Sequence, residues 1–149
     1  MKSNSFTTSI EVSKSPQEIF NRIINDVAKW WGGKDLEGST NKLNGEFTIH
    51  HPGAHYSKQE LIEAIAGEKI VWVVTDSTLY WLTGDQHEWT NTKLLFDISG
   101  SGDKTIVHFT HEGLVPEMEC YAQCSQGWTT VIKEYLYHFI TEGRAHFLL

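Results

Sequence analysis

Cys120 and Cys124 are the residues whose type and spacing most directly suggest chemistry, and they are the two cysteines of this 149-residue chain. With His111 they could supply thiolate and imidazole ligands to zinc, but CxxxC is not a common zinc-knuckle spacing and a second ligand pair is missing. Cysteines four apart on an intact helix rarely reach the torsion of a disulfide. An apolar helix face raises the pKa of a thiol. The sequence therefore favours structural sulfur and predicts no metal site.

Histidines form the second group that could do chemistry. His50, His51 and His55 share one turn in the segment "HHPGAH" and could bind a metal, although a solvated loop is the favoured interpretation. His111 differs, because strand alternation places it on the same face as Val107 and Phe109, towards the position of the C-terminal helix. His111 is therefore the first candidate for a polar anchor in a pocket.

Catalytic signals are weaker. Glu63 lies between Ile62 and Ala64 in a predicted strand and could be an inward general acid with a raised pKa, although a position on the wet face is favoured. The sequence contains no nucleophile elbow, phosphate loop, paired-acid motif or dinucleotide fingerprint. It therefore names no catalytic residue and no cofactor, and it weighs against an enzyme.

Length and charge limit the class of protein. Residues 1–149 suit one domain with a single core. The net charge of −7 with only 12 Lys and Arg disfavours nucleic acid and anionic membrane surfaces as partners. The sequence has no membrane-spanning apolar stretch and no apolar signal-peptide block near its start, and two cysteines suit a reducing compartment. We expect a soluble, cytoplasmic protein.

The elements that must position these residues begin with a strand, "FTTSIEVS". Ser15 as N-cap, Pro16 at the first helical position and Glu18 three residues after the cap then predict a helix start. The helical pattern is short, is broken near Asn25-Asp26, and ends at Trp30 and Trp31.

From Gly45 onward, strand patterns separated by turn residues predict an antiparallel meander. The clearest hairpin pairs "TKLLFDIS" with "KTIVHFTHEG" across a "GSGD" turn. After Pro116, the pattern of the next ~26 residues predicts one long helix. It starts with Glu117 and Glu119 and stops at Gly143. Its apolar residues fall within about half of the helical circle. They are Tyr121, Cys124, Trp128, Val131, Ile132, Tyr135, Leu136 and Phe139.

Several stretches together resemble the START-like, or SRPBCC, superfamily: "SPQEIFNRI", "KWWGG", "WTNTKLLFDIS", and "TIVHFTHEGL" followed by "CSQGWTTVIKEYLYHFITEG". They look like the branch named after the C-terminal domain of the activator homologue of the heat-shock protein 90 ATPase, over nearly the whole chain. The resemblance implies an α+β helix-grip fold. In it a curved antiparallel sheet of six or seven strands wraps a long C-terminal helix, with two short helices after the first strand.

The resemblance also implies a cavity between sheet and helix. Carried over by position, its wall would draw on Tyr121, Cys124, Trp128, Val131 and Tyr135 from the helix and on Trp72, Phe96, Phe109 and His111 from the sheet, with Trp30 and Trp31 at the mouth. The six tryptophans could equally fill it.

Three functions remain open. The leading hypothesis is a non-catalytic protein that binds a small apolar or aromatic molecule in this cavity. The alternatives are a cyclase or dehydratase-type enzyme that uses cavity His and Glu side chains, and an interaction module that activates a chaperone ATPase. The eukaryotic co-chaperone has a separate N-terminal domain for which this sequence has no counterpart, so the resemblance says little about a partner. The oligomeric state stays open.

Overall fold

A seven-stranded antiparallel sheet organises the protein, and the computed structural model describes residues 4–145 of it, apart from the side chain of Ser101. The strands are β1 (Phe6–Val12), β2 (Leu36–Gly38), β3 (Glu46–His51), β4 (His55–Ile65), β5 (Lys69–Leu79), β6 (Lys93–Ser101) and β7 (Lys104–Glu112). They pair in the order β1-β7-β6-β5-β4-β3-β2. The predicted meander and the β6–β7 hairpin are confirmed, since Ser101 pairs with Lys104 across the turn.

Two short helices follow β1, as predicted: α1 (Pro16–Asn25) and α2 (Val27–Trp30). The Ser15 hydroxyl caps α1 by accepting the Glu18 N–H at 3.1 Å. The Glu18 carboxylate lies 3.5 Å from Arg22 Nε, one turn further along α1. Asp26 (φ −121°, ψ 38°) leaves the helical region and separates the two helices. This break turns the chain so that Trp30 enters the core while Trp31 stays half-buried.

The C-terminal helix consists of α3 (Tyr121–Thr130), a π-helical segment (Val131–Leu136) and α4 (Tyr137–Glu142). The junction residues keep right-handed helical dihedrals, so residues 121–142 are continuous through Gly127. Gly143 (φ 81°) ends the helix and donates its N–H to the Phe139 carbonyl at 2.8 Å. The predicted stop at Gly143 is confirmed.

The predicted start of this helix directly after Pro116 is wrong, because α3 begins only at Tyr121. The carboxylate of Glu88, from the loop between β5 and β6, accepts the backbone N–H groups of Glu119 and Cys120 at 3.1 and 3.0 Å. A distant side chain thereby anchors Glu119 and Cys120 just before the first helical turn, although it accepts no N–H from within that turn. Glu119 consequently does not lie in the first helical turn, and its carboxylate accepts both the N–H (3.1 Å) and the hydroxyl (2.9 Å) of Thr83.

The π-helical segment keeps one face of the helix against the sheet. Trp128, Ile132, Leu136 and Ile140 are all buried, four residues apart. On a 3.6-residue helix such a stripe drifts by about 40° at each step, and a π turn, which holds more residues, reverses that drift. The stripe therefore stays in contact with the core from α3 to α4.

The core has two chemically different ends. At the aliphatic end, which we define by Ile19 and Ile23 of α1 with Leu136 and Ile140 of the C-terminal helix, the four side chains have no exposed area. At the other end, indoles and imidazoles replace the branched aliphatics. Within residues 4–145, no helix has both the length and the apolar character to cross a membrane.

Candidate functional site: an aromatic cleft beside the C-terminal helix

A cleft of about 170 Å³ lies beside the first half of the C-terminal helix, and we call it the aromatic cleft. Its lining residues are Trp31, His51, His55, Trp89, Cys124, Gly127, Trp128 and Val131. The chain supplies them from four places: the residue after α2, the β3–β4 hairpin, the loop of residues 80–92, and the C-terminal helix. Sheet and helix thus contribute opposite walls.

Three indoles form most of the wall. Trp89 and Trp128 stack with ring centroids 5.8 Å apart and planes 15° from parallel. Trp31 lies 4.9 Å from Trp128 and 6.3 Å from Trp89. Behind them, Phe109 contacts Trp128 at 4.6 Å. Flat rigid rings cannot interdigitate as branched aliphatic side chains do, so a gap remains between them.

A buried hydrogen-bond chain holds the indoles in place. Trp128 Nε1 donates to His111 Nδ1 at 2.9 Å, and His111 Nε2 lies 2.7 Å from Thr92 Oγ1. Thr92 Oγ1 in turn donates to the Trp89 carbonyl at 2.5 Å. These partners fix the neutral tautomer with the proton on Nε2, since Nδ1 must accept. Burial lowers the pKa of His111 to about 3.

This chain gives His111 a positioning role. Both ring nitrogens of His111 bind protein groups, and the side chain has no exposed area. A ligand could bond to it only after displacing Trp128 or Thr92. The predicted polar anchor therefore reaches the cleft through Trp128, whose indole it orients.

Two other histidines lie at the edge of the cleft. His55 Nε2 lies 2.7 Å from Ser57 Oγ, and its ring meets Trp89 edge-on at 4.9 Å. Burial lowers the pKa of His55 to about 4, with smaller contributions from His51 and His50. His51 is exposed, and its Nδ1 lies 2.5 Å from the Asp35 carboxylate.

The thiols of Cys120 and Cys124 behave differently from each other. Cys124 is half-buried and lines the cleft, and its sulfur accepts the Trp89 Nε1–H at 3.3 Å. A hydrogen bond from Cys120 lowers the pKa of Cys124, burial raises it, and the Trp89 N–H again lowers it. The same bond, with burial, raises the pKa of Cys120. The predicted rise is confirmed for Cys120 and wrong for Cys124, because the prediction overlooked the donors.

Gly127 keeps the cleft open on the helix side. A Cβ placed on Gly127 would meet no heavy atom of the described residues within 4 Å. Glycine in a helix interior costs about 0.5–1 kcal/mol relative to alanine. The space above Gly127 is therefore maintained at the expense of helix stability.

The structure distributes the predicted site residues between cleft and core. Trp31, Cys124, Trp128 and Val131 line the cleft. Trp30, Trp72, Phe96, Phe109 and His111 are buried in the core, and Tyr121 and Tyr135 are half-buried against it. The tryptophans thus fill much of the space between sheet and helix.

Glu63 lies outside the aromatic cleft, and the candidate metal ligands do not converge. Glu63 is on an exposed part of β4, 4.0 Å from Lys69 Nζ, and does not reach His111 in the core. Among the described residues, no three His, Cys, Asp or Glu side chains converge to hold a metal ion.

Trp89 and Gly127 were not predicted from the sequence as cleft residues, and His51 and His55 were predicted as part of a solvated turn with metal binding as the alternative. Trp89 lies in a loop without hydrophobic periodicity, so no sequence pattern indicated that its side chain is buried. A helical glycine directly before a buried tryptophan was the one available signal for Gly127.

No family model and no curated protein matches the chain. Solved structures do. The solution structure of the Aha1 dimer from Colwellia psychrerythraea is similar with a TM-score of 0.73 at 18% identity, over 93% of this chain and 97% of that chain. DynU16, from the dynemicin biosynthetic locus, gives 0.68 at 11% identity, over 97% of this chain and 49% of that one.

CalU16 from Micromonospora echinospora gives a TM-score of 0.63 at 13% identity, over 92% of this chain and 76% of that chain. At these identities the likeness shows the fold. The chain has an α+β helix-grip fold, as predicted, with the curved sheet wrapped around the C-terminal helix.

Proposed function

We propose that this START-like chain is a non-catalytic binding protein that holds one small aromatic ring in the aromatic cleft. The observation that carries the proposal is the wall of three indoles, Trp31, Trp89 and Trp128, around a space that Gly127 leaves open. Aromatic walls with a few polar groups at the edge are typical of small-molecule sites.

The size of the cleft limits the ligand. An apolar cavity of roughly 150 Å³ holds benzene, so the 170 Å³ here suits one ring with small substituents. This is less than the ~300–1,000 Å³ of typical small-molecule pockets. The ligand is an arene or a phenol-sized molecule rather than a polycyclic one.

The charge of the cleft limits the ligand further. With a pKa of about 4, His55 is neutral at pH 7, so it offers hydrogen-bonding capacity without a cation. An anionic ligand would find no compensating charge at His55 and would lose its hydration. We therefore propose an uncharged ligand with its ring between the indoles and any hydroxyl or carbonyl towards His51 and His55.

Titration with toluene, phenol and cyclohexane tests the proposal through tryptophan fluorescence and thermal shift. The aromatic probes should raise the melting temperature by mass action and change the indole emission, and cyclohexane should do so less. Gly127→Leu should place its side chain in the cleft and abolish binding without loss of stability. Ala122→Leu, on an exposed position of the same helix, is the matched control. Binding by Gly127→Leu equal to that of the unmodified chain would place the ligand elsewhere.

A second candidate is a proton-transfer enzyme of the cyclase or dehydratase type. The Asp35–His51 pair favours it, because a carboxylate on Nδ1 orients an imidazole at the cleft edge as a general base. The test is α-proton exchange of acetophenone in deuterated water, followed by NMR. Catalysis would be established if the protein accelerates exchange and His51→Gln removes that exchange while the ring still binds. Exchange no faster than in buffer would exclude catalysis for this substrate.

A further inference from the structure

We infer that Cys124 is a nucleophilic thiol that captures aryl-substituted α,β-unsaturated carbonyl compounds bound in the aromatic cleft. The inference rests on the proposed function, because the indoles must first bind the aryl ring. It adds a covalent step and a ligand class to that site.

The position of Cys124 supplies access. Its side chain is half-buried and lines the cleft next to Trp89 and Trp128, so a ring between the indoles brings its substituent to the sulfur. Cys120, one turn earlier, has no exposed area. Only one of the two sulfurs can therefore meet a bound molecule.

A hydrogen bond on Cys124 stabilises a thiolate. Its sulfur accepts the Trp89 N–H at 3.3 Å. The Trp89 donor is held in place by the surrounding ring contacts rather than by solvent. A preorganised N–H donor on the sulfur favours the anion over the thiol.

The start of the helix adds to this effect, whereas burial of the thiol and one charge oppose it. Cys124 lies in the first turn of a helix that runs from 121 to 142, where the partial positive charge of the helix terminus favours an anion. The Glu88 carboxylate acts in the opposite direction on Cys124. Its charge is partly balanced because it accepts the N–H groups of Glu119 and Cys120. His51 and His55, at the other side of the cleft, are the remaining titratable groups that line it.

The chemistry balances without an oxidant. The Cys124 thiolate attacks the β-carbon, an S–C bond forms, and the π bond of the alkene breaks. Its electron pair moves onto the carbonyl oxygen as an enolate, which takes a proton at the α-carbon from water. The proton that the thiol lost returns to solvent, so the net reaction adds one thiol across one double bond.

The experiment uses two enones of different shape on the whole chain, with intact mass spectrometry. Benzylideneacetone carries the aryl ring, and 3-penten-2-one lacks it. The rate ratio of aryl to alkyl enone should exceed the ratio measured with glutathione by about tenfold or more, which corresponds to ring binding of modest affinity. A single adduct should form, and peptide mapping should place it on Cys124.

Two cysteine substitutions assign the site. Cys124→Ser should lose the adduct. Cys120→Ser should keep it, since a serine hydroxyl still donates to Cys124. An adduct that survives Cys124→Ser, or a rate ratio equal to that of glutathione, would overturn the inference.

Trp89→Phe tests whether the Trp89 hydrogen bond, rather than exposure alone, makes the Cys124 thiol reactive. The substitution keeps an aromatic ring and removes the N–H donor. Alkylation of Cys124 by iodoacetamide, measured against pH, should shift to higher pH in this variant. An unchanged profile would show that the thiol is not activated by this contact and would count against the inference.

The saturated ketone 4-phenyl-2-butanone separates the inference from the proposed function. If it changes the tryptophan emission while benzylideneacetone forms no adduct, the binding function stands and the covalent step is refuted. If neither compound binds or reacts, the cleft does not take aryl ligands and both proposals fail.

Discussion

The two ends of the interface between sheet and helix differ in how they are filled. At the aliphatic end, Ile19, Ile23, Leu136 and Ile140 have no exposed area. At the cleft end, Trp31, Trp89 and Trp128 are in ring contact and still leave about 170 Å³. Branched aliphatic side chains interlock, whereas flat rings meet at angles of 15° to 48° and leave gaps. One fold thus combines a closely packed half with a half that leaves an open cleft.

The polar groups follow the same division. The His111–Thr92 chain orients the indoles at the cleft end. At the aliphatic end the described contacts include a single cation over a ring, Arg22 above Phe139 at 5.5 Å, with a hydrogen bond to the Phe139 carbonyl at 3.3 Å. Hydrogen bonds fix ring orientation where packing alone does not. The comparison therefore predicts that stability and binding can be altered separately.

Removing a side chain from the aliphatic end should have the largest effect. Leu136→Ala should lower the free energy of unfolding by ~2–5 kcal/mol, because the cavity cannot collapse among fully buried neighbours. Val131→Ala, at the cleft wall, should cost less than about 2 kcal/mol since its side chain already borders open space. Urea denaturation measures both values. Equal costs would contradict the division into two ends.

Acid should weaken the cleft end through His111. Its pKa is about 3 in the folded protein and higher in the unfolded chain, so the unfolded chain takes up the proton first as pH falls. Stability should therefore fall below pH ~6.5, by about 2 kcal/mol for His111 between pH 6.5 and 5.

Urea denaturation across that pH range checks this slope. His111→Gln removes this titration and should flatten the dependence. His55, with a pKa of about 4, adds a second contribution of the same sign, which His55→Gln isolates. A slope that neither substitution changes would assign the acid sensitivity to other groups.

Removing the Glu88 carboxylate, which anchors the residues before the helix start, should have a smaller effect, confined to the cleft end. Glu88→Ala leaves the N–H groups of Glu119 and Cys120 without their carboxylate and should cost ~1 kcal/mol. Hydrogen exchange of the amides from 119 to 124 should speed up, while those of 137–142 keep their protection. Glu117→Ala, exposed in the same segment, serves as the control.

Filling the space above Gly127 should have the smallest effect, and the opposite sign. Gly127→Ala should stabilise the protein by ~0.5–1 kcal/mol through helix propensity, since the added Cβ has room. Gly113→Ala provides the contrast, because φ there is +100° and the Cβ would lie 2.8 Å from Thr92 Cγ2. Thermal denaturation should show a gain at 127 and a loss at 113.

Local signals in the sequence predicted most of the fold. Ser15 and Pro16 specify the start of α1, Gly143 specifies the end of the C-terminal helix, and alternation around Phe96 and Phe109 specifies the hairpin of β6 and β7. Each of these signals acts over a few residues, so the sequence reveals it directly. The resemblance supplied the rest of the topology.

The candidate site depends on contacts between distant parts of the chain, which local patterns do not encode. Glu88 anchors Cys120 just before a helix that starts at Tyr121, and Trp89 contacts Cys124 from a loop without periodicity. His111 was expected to face a ligand, but its partners Thr92 and Trp128 come from different elements. The sequence therefore predicted that aromatic, histidine and cysteine side chains lie near the cleft. It did not predict which groups they bond to.

The clasp between the loop of residues 80–92 and the helix start has a consequence for entry and exit. From the loop, the Glu88 carboxylate accepts the Glu119 N–H. From the helix start, the Glu119 carboxylate accepts the N–H groups of Thr83 and, at 3.0 Å, of Gly84. Moving the loop that carries Trp89 would break both sets of bonds at once. Trp31 is half-buried after α2 and is held by ring contacts, 4.9 Å from Trp128 and 6.3 Å from Trp89, without such a hydrogen-bonded tether among the described contacts. For the proposed ligand we therefore expect entry beside Trp31 rather than beside Trp89.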